Sequence, residues 1–161
     1  MTPEQARHYL SYDPATGVLR WRAKASKKTV VGREAGCLSK AGYVVIGLDG
    51  KEYYAHRLAW LIQTGEWPTQ VDHKDGNRTN NAWHNLREAT HSQNILNAKR
   101  ARNNTTGYKG VSYHKAAGKW SAQIYLGGKS QHLGLFDSPE DAHAAYLRAA
   151  QRAHPKFVRS E

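Results

Sequence analysis

Residues 53–97 read YYAHRLAWLIQTGEWPTQVDHKDGNRTNNAWHNLREATHSQNILN, and the reading of this stretch decides the fold. Its centre, Val71-Asp72-His73, is a short strand-like run. The next eight residues, Lys74-Asp75-Gly76-Asn77-Arg78-Thr79-Asn80-Asn81, are all polar or turn-forming and read as a loop. Leu86-Arg87-Glu88-Ala89 fits a second strand, although these residues also tolerate a helix. Thr90-His91-Ser92-Gln93 has the capping-box form, Thr at the cap and Gln three residues on, so a helix is expected from about Thr90 with Asn94 and Asn97 on one face. The expected order is strand, loop, strand, helix.

Upstream, Gly42 to Leu48 and Glu52 to Ala55 are β-prone arms on either side of Asp49-Gly50, a strong hairpin signal. His56 to Ile62 follows with Leu58, Leu61 and Ile62 on one helical face, and Gly65 and Pro68 end that helix. Nearer the N-terminus, Tyr12-Asp13-Pro14 and Thr16-Gly17 are turn signals before the β-prone Val18 to Trp21. Downstream, 98–106 (AKRARNNTT) is polar and basic without apolar periodicity and reads as a linker. Three short strands are then expected over 109–114, 119–126 and 129–136. Ser138-Pro139-Glu140-Asp141 opens a helix whose Ala142, Ala145, Tyr146 and Ala149 form a stripe of mostly small residues suited to lying on a sheet.

At 161 residues the chain holds one ordinary domain or two small ones, and the reset of pattern after the linker favours two different modules. With 24 Lys and Arg against 13 Asp and Glu the formal charge is +11, spread along the whole chain, so a polyanion is the expected partner. There is no apolar run approaching the roughly 20 residues that span a bilayer, and no membrane partner is expected. The first residues, MTPEQARHYLSYDP, lack the apolar core of a signal peptide. The single cysteine, Cys37, excludes an internal disulfide and any cysteine-based zinc knuckle, and fits a reducing cytoplasm.

Counting from His73, Asn85 lies twelve positions on and Asn94 twenty-one. Phosphodiester hydrolysis needs a base to deprotonate water and a hard cation to hold the scissile phosphate, and an adjacent Asp-His pair has groups for both. Together with Tyr53-Tyr54-Ala55-His56-Arg57-Leu58-Ala59-Trp60, Gly65-Glu66-Trp67-Pro68, Asp75-Gly76-Asn77, Asn85-Leu86-Arg87 and Gln93-Asn94, the pattern resembles the HNH nucleases with a ββα-metal core, phage homing endonucleases in particular. The N-terminal run from Tyr12 to Trp21 resembles the usual start of such phage proteins. The resemblance implies His73 as general base, Asp72 and Asn94 as protein ligands to one divalent metal, and Asn85 as the residue holding the loop so that His73 points correctly. Oxygen ligands of this kind suit Mg²⁺ or Mn²⁺ better than Zn²⁺. Arg57, Arg78 and Arg87 are candidates for phosphate contact. His56 either reaches this site from the preceding hairpin or is a buried histidine anchoring the helix against Trp60.

Residues 107–158 resemble the Apetala and ethylene-response-factor (AP2) DNA-binding domain of plants. The resemblance rests on Gly107-Tyr108-Lys109-Gly110-Val111, Lys119-Trp120-Ser121-Ala122-Gln123-Ile124, His132-Leu133-Gly134-Leu135-Phe136, Ala145-Tyr146 and His154-Pro155-Lys156-Phe157. It implies a three-stranded antiparallel sheet backed by one helix, with the free face entering the DNA major groove. Lys109, His114, Gln123, Tyr125 and His132 are the expected DNA contacts, with Ser112 and Ser130 on the same face; Trp120 is ambiguous between DNA contact and core.

The expected fold is therefore α+β: a nuclease domain over 1–98 with its core at 53–98, a basic linker over 99–106 and a DNA-binding domain over 107–161. The expected function is a metal-dependent, site-selective cut or nick in double-stranded DNA by a monomer in the cytoplasm of a bacterial host, for a protein of phage origin. A non-catalytic DNA-binding regulator on an HNH-like scaffold is the alternative, and an RNA- or ribosome-binding basic protein would explain the charge but neither motif.

Overall fold

A computed structural model describes residues 1–98, 100 and 103–158. They fall into two compact units, Met1–Ala89 and Thr90–Glu161. In the first, helix α1 (Pro3–Tyr9) starts on a capping box: the Thr2 hydroxyl accepts from the Gln5 amide while the Gln5 side chain returns to the Thr2 backbone, with Pro3 in the first turn. The same capping-box signal stands at Thr90. Strand β1 (Leu10–Tyr12) runs into a turn in which the Asp13 carboxylate accepts from Ala15 N–H and the Thr16 hydroxyl. The chain returns as the antiparallel β2 (Leu19–Trp21).

A three-stranded antiparallel sheet follows, made of β3 (Cys37–Leu38), β4 (Val44–Leu48) and β5 (Lys51–Tyr54). Asp49 (φ 50°) and Gly50 (φ 73°) both sit in the left-handed region at the β4–β5 turn, which is why Asp-Gly is used there. Helix α2 (Ala55–Thr64) ends at Gly65, whose φ of 84° lets its N–H return to the Leu61 carbonyl. Leu58 and Leu61 of this helix are fully buried against Ala6, Leu10, Leu19, Ile46 and Leu48. The short pair β6 (Val71–His73) and β7 (Leu86–Glu88) is antiparallel, with Asp72 opposite Arg87 and His73 opposite Leu86. Residues 86–88 are thus strand, which settles the ambiguity in their sequence: Leu86 is buried in the same core.

In the second unit α3 (His91–Asn97) begins on the expected Thr90–Gln93 capping box. Strands β8 (Val111–His114), β9 (Lys119–Leu126) and β10 (Lys129–Phe136) form an antiparallel sheet in the order β10-β9-β8. Helix α4 (Pro139–Ala153), capped by Ser138, covers one face of it. Ala142, Tyr146 and Ala150 are its buried residues, and they meet Val111, Ala122, Ile124 and Leu96 in the core. Of the expected linker, Lys99, Ala101 and Arg102 lie outside the described residues. Asn104 and Thr106 are ordered as a turn, with side chains bonded to the Tyr108 carbonyl. Among the described residues no helix is long and apolar enough to cross a membrane.

Gly110 marks the tightest approach in the second unit. Its φ is 74°, and a Cβ there would stand 2.2 Å from the Tyr146 ring and 2.7 Å from the Gln123 carbonyl. Gly110→Ala should therefore destabilise this unit by about 2–5 kcal/mol, combining left-handed strain with overpacking. Amide hydrogen exchange is expected to quicken in β8, β9 and α4 and to stay unchanged in α2; a uniform loss of protection would contradict two separate cores.

Candidate active site and nucleic-acid interface

Asp72 and His73 are neighbours on β6, so their side chains leave opposite faces of the ribbon. His73 is 5% exposed, and its Nε2 lies 3.0 Å from Asn81 Oδ1. The ring of His56, from the first turn of α2, meets it edge-on at 4.9 Å, and Tyr43 lies 6.2 Å away. Across the ladder from Asp72, Arg87 donates through Nε (2.8 Å) and Nη2 (2.7 Å) to Asp72 Oδ2, both side chains being largely buried. This is a fork-type ion pair aligned by the β6–β7 register.

The loop between these strands is closed by Asn85. Its Nδ2 donates to Asp75 Oδ1 (2.9 Å) and to the Asn80 carbonyl (2.8 Å), while its Oδ1 accepts from Asp75 N–H (3.1 Å). Asn80 Nδ2 adds a bond to Asp75 Oδ2 at 2.7 Å. Burial works against the Asp75 carboxylate, but bonds from Asn77 N–H, Asn80 and Asn85, with the positive charge His73 can carry, outweigh it and hold Asp75 below the usual carboxylate range.

The arginines expected to meet phosphate are in structural use. Arg57 Nη2 donates to the Pro68 carbonyl at 3.0 Å, with its guanidinium over Trp67. Arg78 Nη1 donates to the Ala41 carbonyl at 2.7 Å, and its guanidinium lies 4.7 Å from the Tyr43 ring centre. Arg87 is on Asp72. Asn94 sits on α3, in the second unit, and Asn97 of the same helix is buried.

On the sheet of the second unit, alternation separates two faces. Ala122 and Ile124 point into the core under α4, and the half-buried Trp120 packs beside Ala122 and opposite Phe136. The opposite face carries the cross-strand pairs Ser112 with Ser121, Gln123 with His132, and Tyr125 with Ser130, together with His114 opposite Lys119. Gln123, His132 and His114 are exposed; His114 Nδ1 also accepts from Ala117 N–H. Lys109 is differently employed: its Nζ donates to the Leu96 (2.7 Å) and Ala98 (2.6 Å) carbonyls at the end of α3.

Comparison with known proteins agrees with both halves. The HNH endonuclease family model matches residues 53–96, and the AP2 domain model matches 106–154. Protein 3.8 of Escherichia phage T7 is 32% identical over 115 residues, covering 68% of this chain and 94% of that protein. An uncharacterized HNH endonuclease of Acanthamoeba polyphaga mimivirus is 30% identical over 135 residues, covering 82% of this chain and 69% of its own length. The chain belongs to the HNH endonuclease family. An AP2-like ethylene-responsive transcription factor of Arabidopsis thaliana is 37% identical over 60 residues, which are 37% of this chain and only 12% of the plant protein. No solved structure matches.

Seen as an HNH fold with an AP2 domain, the chain places three predicted site residues, Asp72, His73 and Asn85, on one strand–loop–strand element. Among the described residues no group of three or more His, Cys, Asp and Glu side chains is placed to hold a metal ion. The sequence carries no signal of a role for Asn81, Asn80 and Tyr43, and Asp75 stands in it only as part of the Asp75-Gly76-Asn77 motif. Asn80 and Asn81 are visible there only as part of a polar loop, and the contact from Tyr43 is tertiary.

His56 is the buried histidine of the two sequence alternatives, and its ring also contacts the proposed base. Burial, then the positive charges His73 and Arg57 can carry, drives its pKa down to about 3, so it is neutral in the fold at neutral pH. In the unfolded chain it titrates near 6.5, so between about 6.5 and 3 the unfolded state binds the extra proton and stability falls as pH falls. The slope should approach about 1.4 kcal/mol per pH unit. Urea unfolding at a series of pH values should show this loss, and His56→Gln should flatten it; equal slopes would mean that His56 is accessible to protons in the fold.

Proposed function

We propose that the chain is a metal-dependent endonuclease that hydrolyses one phosphodiester bond in duplex DNA at a site chosen through its AP2 domain. The observation that carries this reading is the β6–loop–β7 element: a buried His73 next to Asp72, on a loop tied shut by Asn85, in a chain of the HNH endonuclease family. His73 accepts the proton of the attacking water. Asn85 holds Asp75 and Asn80, and with them the geometry from which His73 projects. Asp72 and Asn94 are the proposed metal ligands, and a carboxylate plus an amide oxygen fit a hard cation such as Mg²⁺ or Mn²⁺. A cation bound by them supplies charge neutralisation at the scissile phosphate. With two protein ligands, affinity for metal in the absence of DNA is weak. Arg87 holds one oxygen of Asp72 and fixes the carboxylate rotamer.

The exposed face of β8 to β10 is the proposed major-groove surface. Gln123 suits bidentate pairing with adenine, with His114, Tyr125 and His132 around it. Contact with phosphate by Lys109 would require it to leave the α3 carbonyls. One active site per monomer makes a nick the natural product. The Asp72–Arg87 pair favours a binding-only regulator, because a guanidinium competes with a cation for the same carboxylate.

Incubation of His73→Ala with phage and host DNA and Mg²⁺ or Mn²⁺ separates these readings. Cleavage should fall by about 10²- to 10⁴-fold while DNA affinity stays within a factor of two. Chelation of metal should abolish cutting by the unaltered protein. Cutting that survives both treatments would end the proposal of a metal-dependent cut with His73 as base, and absence of cutting with tight, site-specific binding would establish the regulator.

Recognition makes a separate prediction. The double variant Gln123→Ala, His132→Ala should lose site preference but keep slow metal-dependent nicking of random DNA. DNA affinity should also fall steeply as salt rises, since each neutralised phosphate releases counterions. A salt-independent affinity would remove the nucleic-acid reading.

A further inference from the structure

We infer that Asn81 is the positioning residue for His73, and that the N-terminal turn Asp13–Gly17 is a brace that holds Asn81 in place. The inference rests on the reading of His73 as general base. It adds the groups that aim the imidazole.

Asn81 is 4% exposed, and its Oδ1 lies 3.0 Å from His73 Nε2. An amide oxygen only accepts, so Nε2 carries the hydrogen and Nδ1 is the basic nitrogen of the ring. A base must present the same nitrogen to its water on every turnover, and a buried acceptor on the other nitrogen is how that is arranged. His56 and Tyr43 limit rotation of the same ring by packing on it.

Asn81 is held from the opposite end of the first unit. The Tyr12 hydroxyl donates to the Asn81 carbonyl at 2.8 Å, and the Trp83 N–H donates to the Pro14 carbonyl at 2.9 Å. Burial, with the Asp13 charge adding, pushes the Tyr12 phenol up to about 12, so it stays a donor throughout the working pH range. Gly17, at φ 77°, is buried against the peptide that follows Asn81: a Cβ there would stand 2.2 Å from Asn81 C and from Ala82 N. Only glycine lets the turn close on that peptide. The turn signals Tyr12-Asp13-Pro14 and Thr16-Gly17, which the nuclease motif leaves without a role, thus act on the loop that ends at Asn81.

The test uses the full-length, metal-free protein. Long-range ¹H–¹⁵N NMR correlations of the imidazoles, with His73 assigned by its loss in His73→Gln, report the tautomer where the ring is neutral. The Nε2–H form is expected in the unaltered protein and in Asn81→Asp, which keeps the acceptor. Asn81→Leu should give a mixture and lower kcat by about 10- to 100-fold, less than loss of the base itself, with DNA affinity unchanged. Gly17→Ala should move the His73 signals in the direction of Asn81→Leu. An Nδ1–H tautomer in the unaltered protein would overturn the inference, and so would an Asn81→Leu protein that keeps full kcat. Should Asn81→Leu fail to fold, the tautomer in the unaltered protein and in Asn81→Asp still decides. Failure of the underlying reading looks different: His73→Ala would then cut at the full rate whatever the tautomer.

Discussion

The first unit's site depends on one buried amide. Asn85 is 4% exposed and uses both hydrogens and its oxygen at once, on Asp75 at one end of the loop and Asn80 at the other. The twelve residues between the two three-residue strands contain no strand of their own, and Asn85 joins the Asp75 and Asn80 turns of that segment. Each bond that Asn85 makes to a peptide group offsets a desolvation cost of about 1–3 kcal/mol for leaving that group buried and unpaired. With the loop closed, Asp72 meets Arg87 and Asn81 meets His73. A side chain of another shape at position 85 satisfies at most part of this set, because only a primary amide on a short stem both donates twice and accepts at that reach.

The same economy governs the basic residues. A charge of +11 suggests a surface of free cations, yet Arg57, Arg78, Arg87 and Lys109 are engaged in capping carbonyls, lying on rings or pairing with Asp72. Guanidinium groups suit that work because five donors in a plane can serve a carbonyl and an aromatic face together. Electrostatic attraction to DNA does not require idle side chains, since the field of a fixed arginine reaches over a Debye length of about 8–10 Å. Base recognition does require reach. Among the proposed contacts, Gln123 and His132, paired across β9 and β10, are exposed.

What was legible in the sequence follows from how local each signal is. Asp49-Gly50, Thr90 with Gln93, and Ser138 with Pro139 announce turns and helix starts through contacts within four residues, and each element lies where they put it. Thr2 with Gln5 carries the same capping signal at the first helix. The Asp72, His73 and Asn85 pattern is local in the same sense, being two strands and the loop between them. Asn81 differs. In the sequence it is one of four asparagines between 77 and 85, and only the packing of Gly17 on its peptide and the bond from Tyr12 distinguish it. Those contacts span more than sixty residues. Trp120 and His56 were left open for the same reason, since the face of a strand or helix that becomes core is decided by what packs on it.

The helix that carries Asn94 is the remaining constraint. At seven residues α3 is too short to persist by itself, because the nucleation cost of a helix is recovered only over about a dozen residues. Three things hold it: the Thr90–Gln93 capping box, the burial of Leu96 beside Ile124, Tyr146 and Ala150, and the Lys109 ammonium on its last carbonyls. Two of the three come from the AP2 domain. The helix that carries Asn94 is therefore held by the core under the β8–β10 sheet. A substitution that loosens the packing of Leu96 thus acts on α3 and on the core under that sheet through one cause.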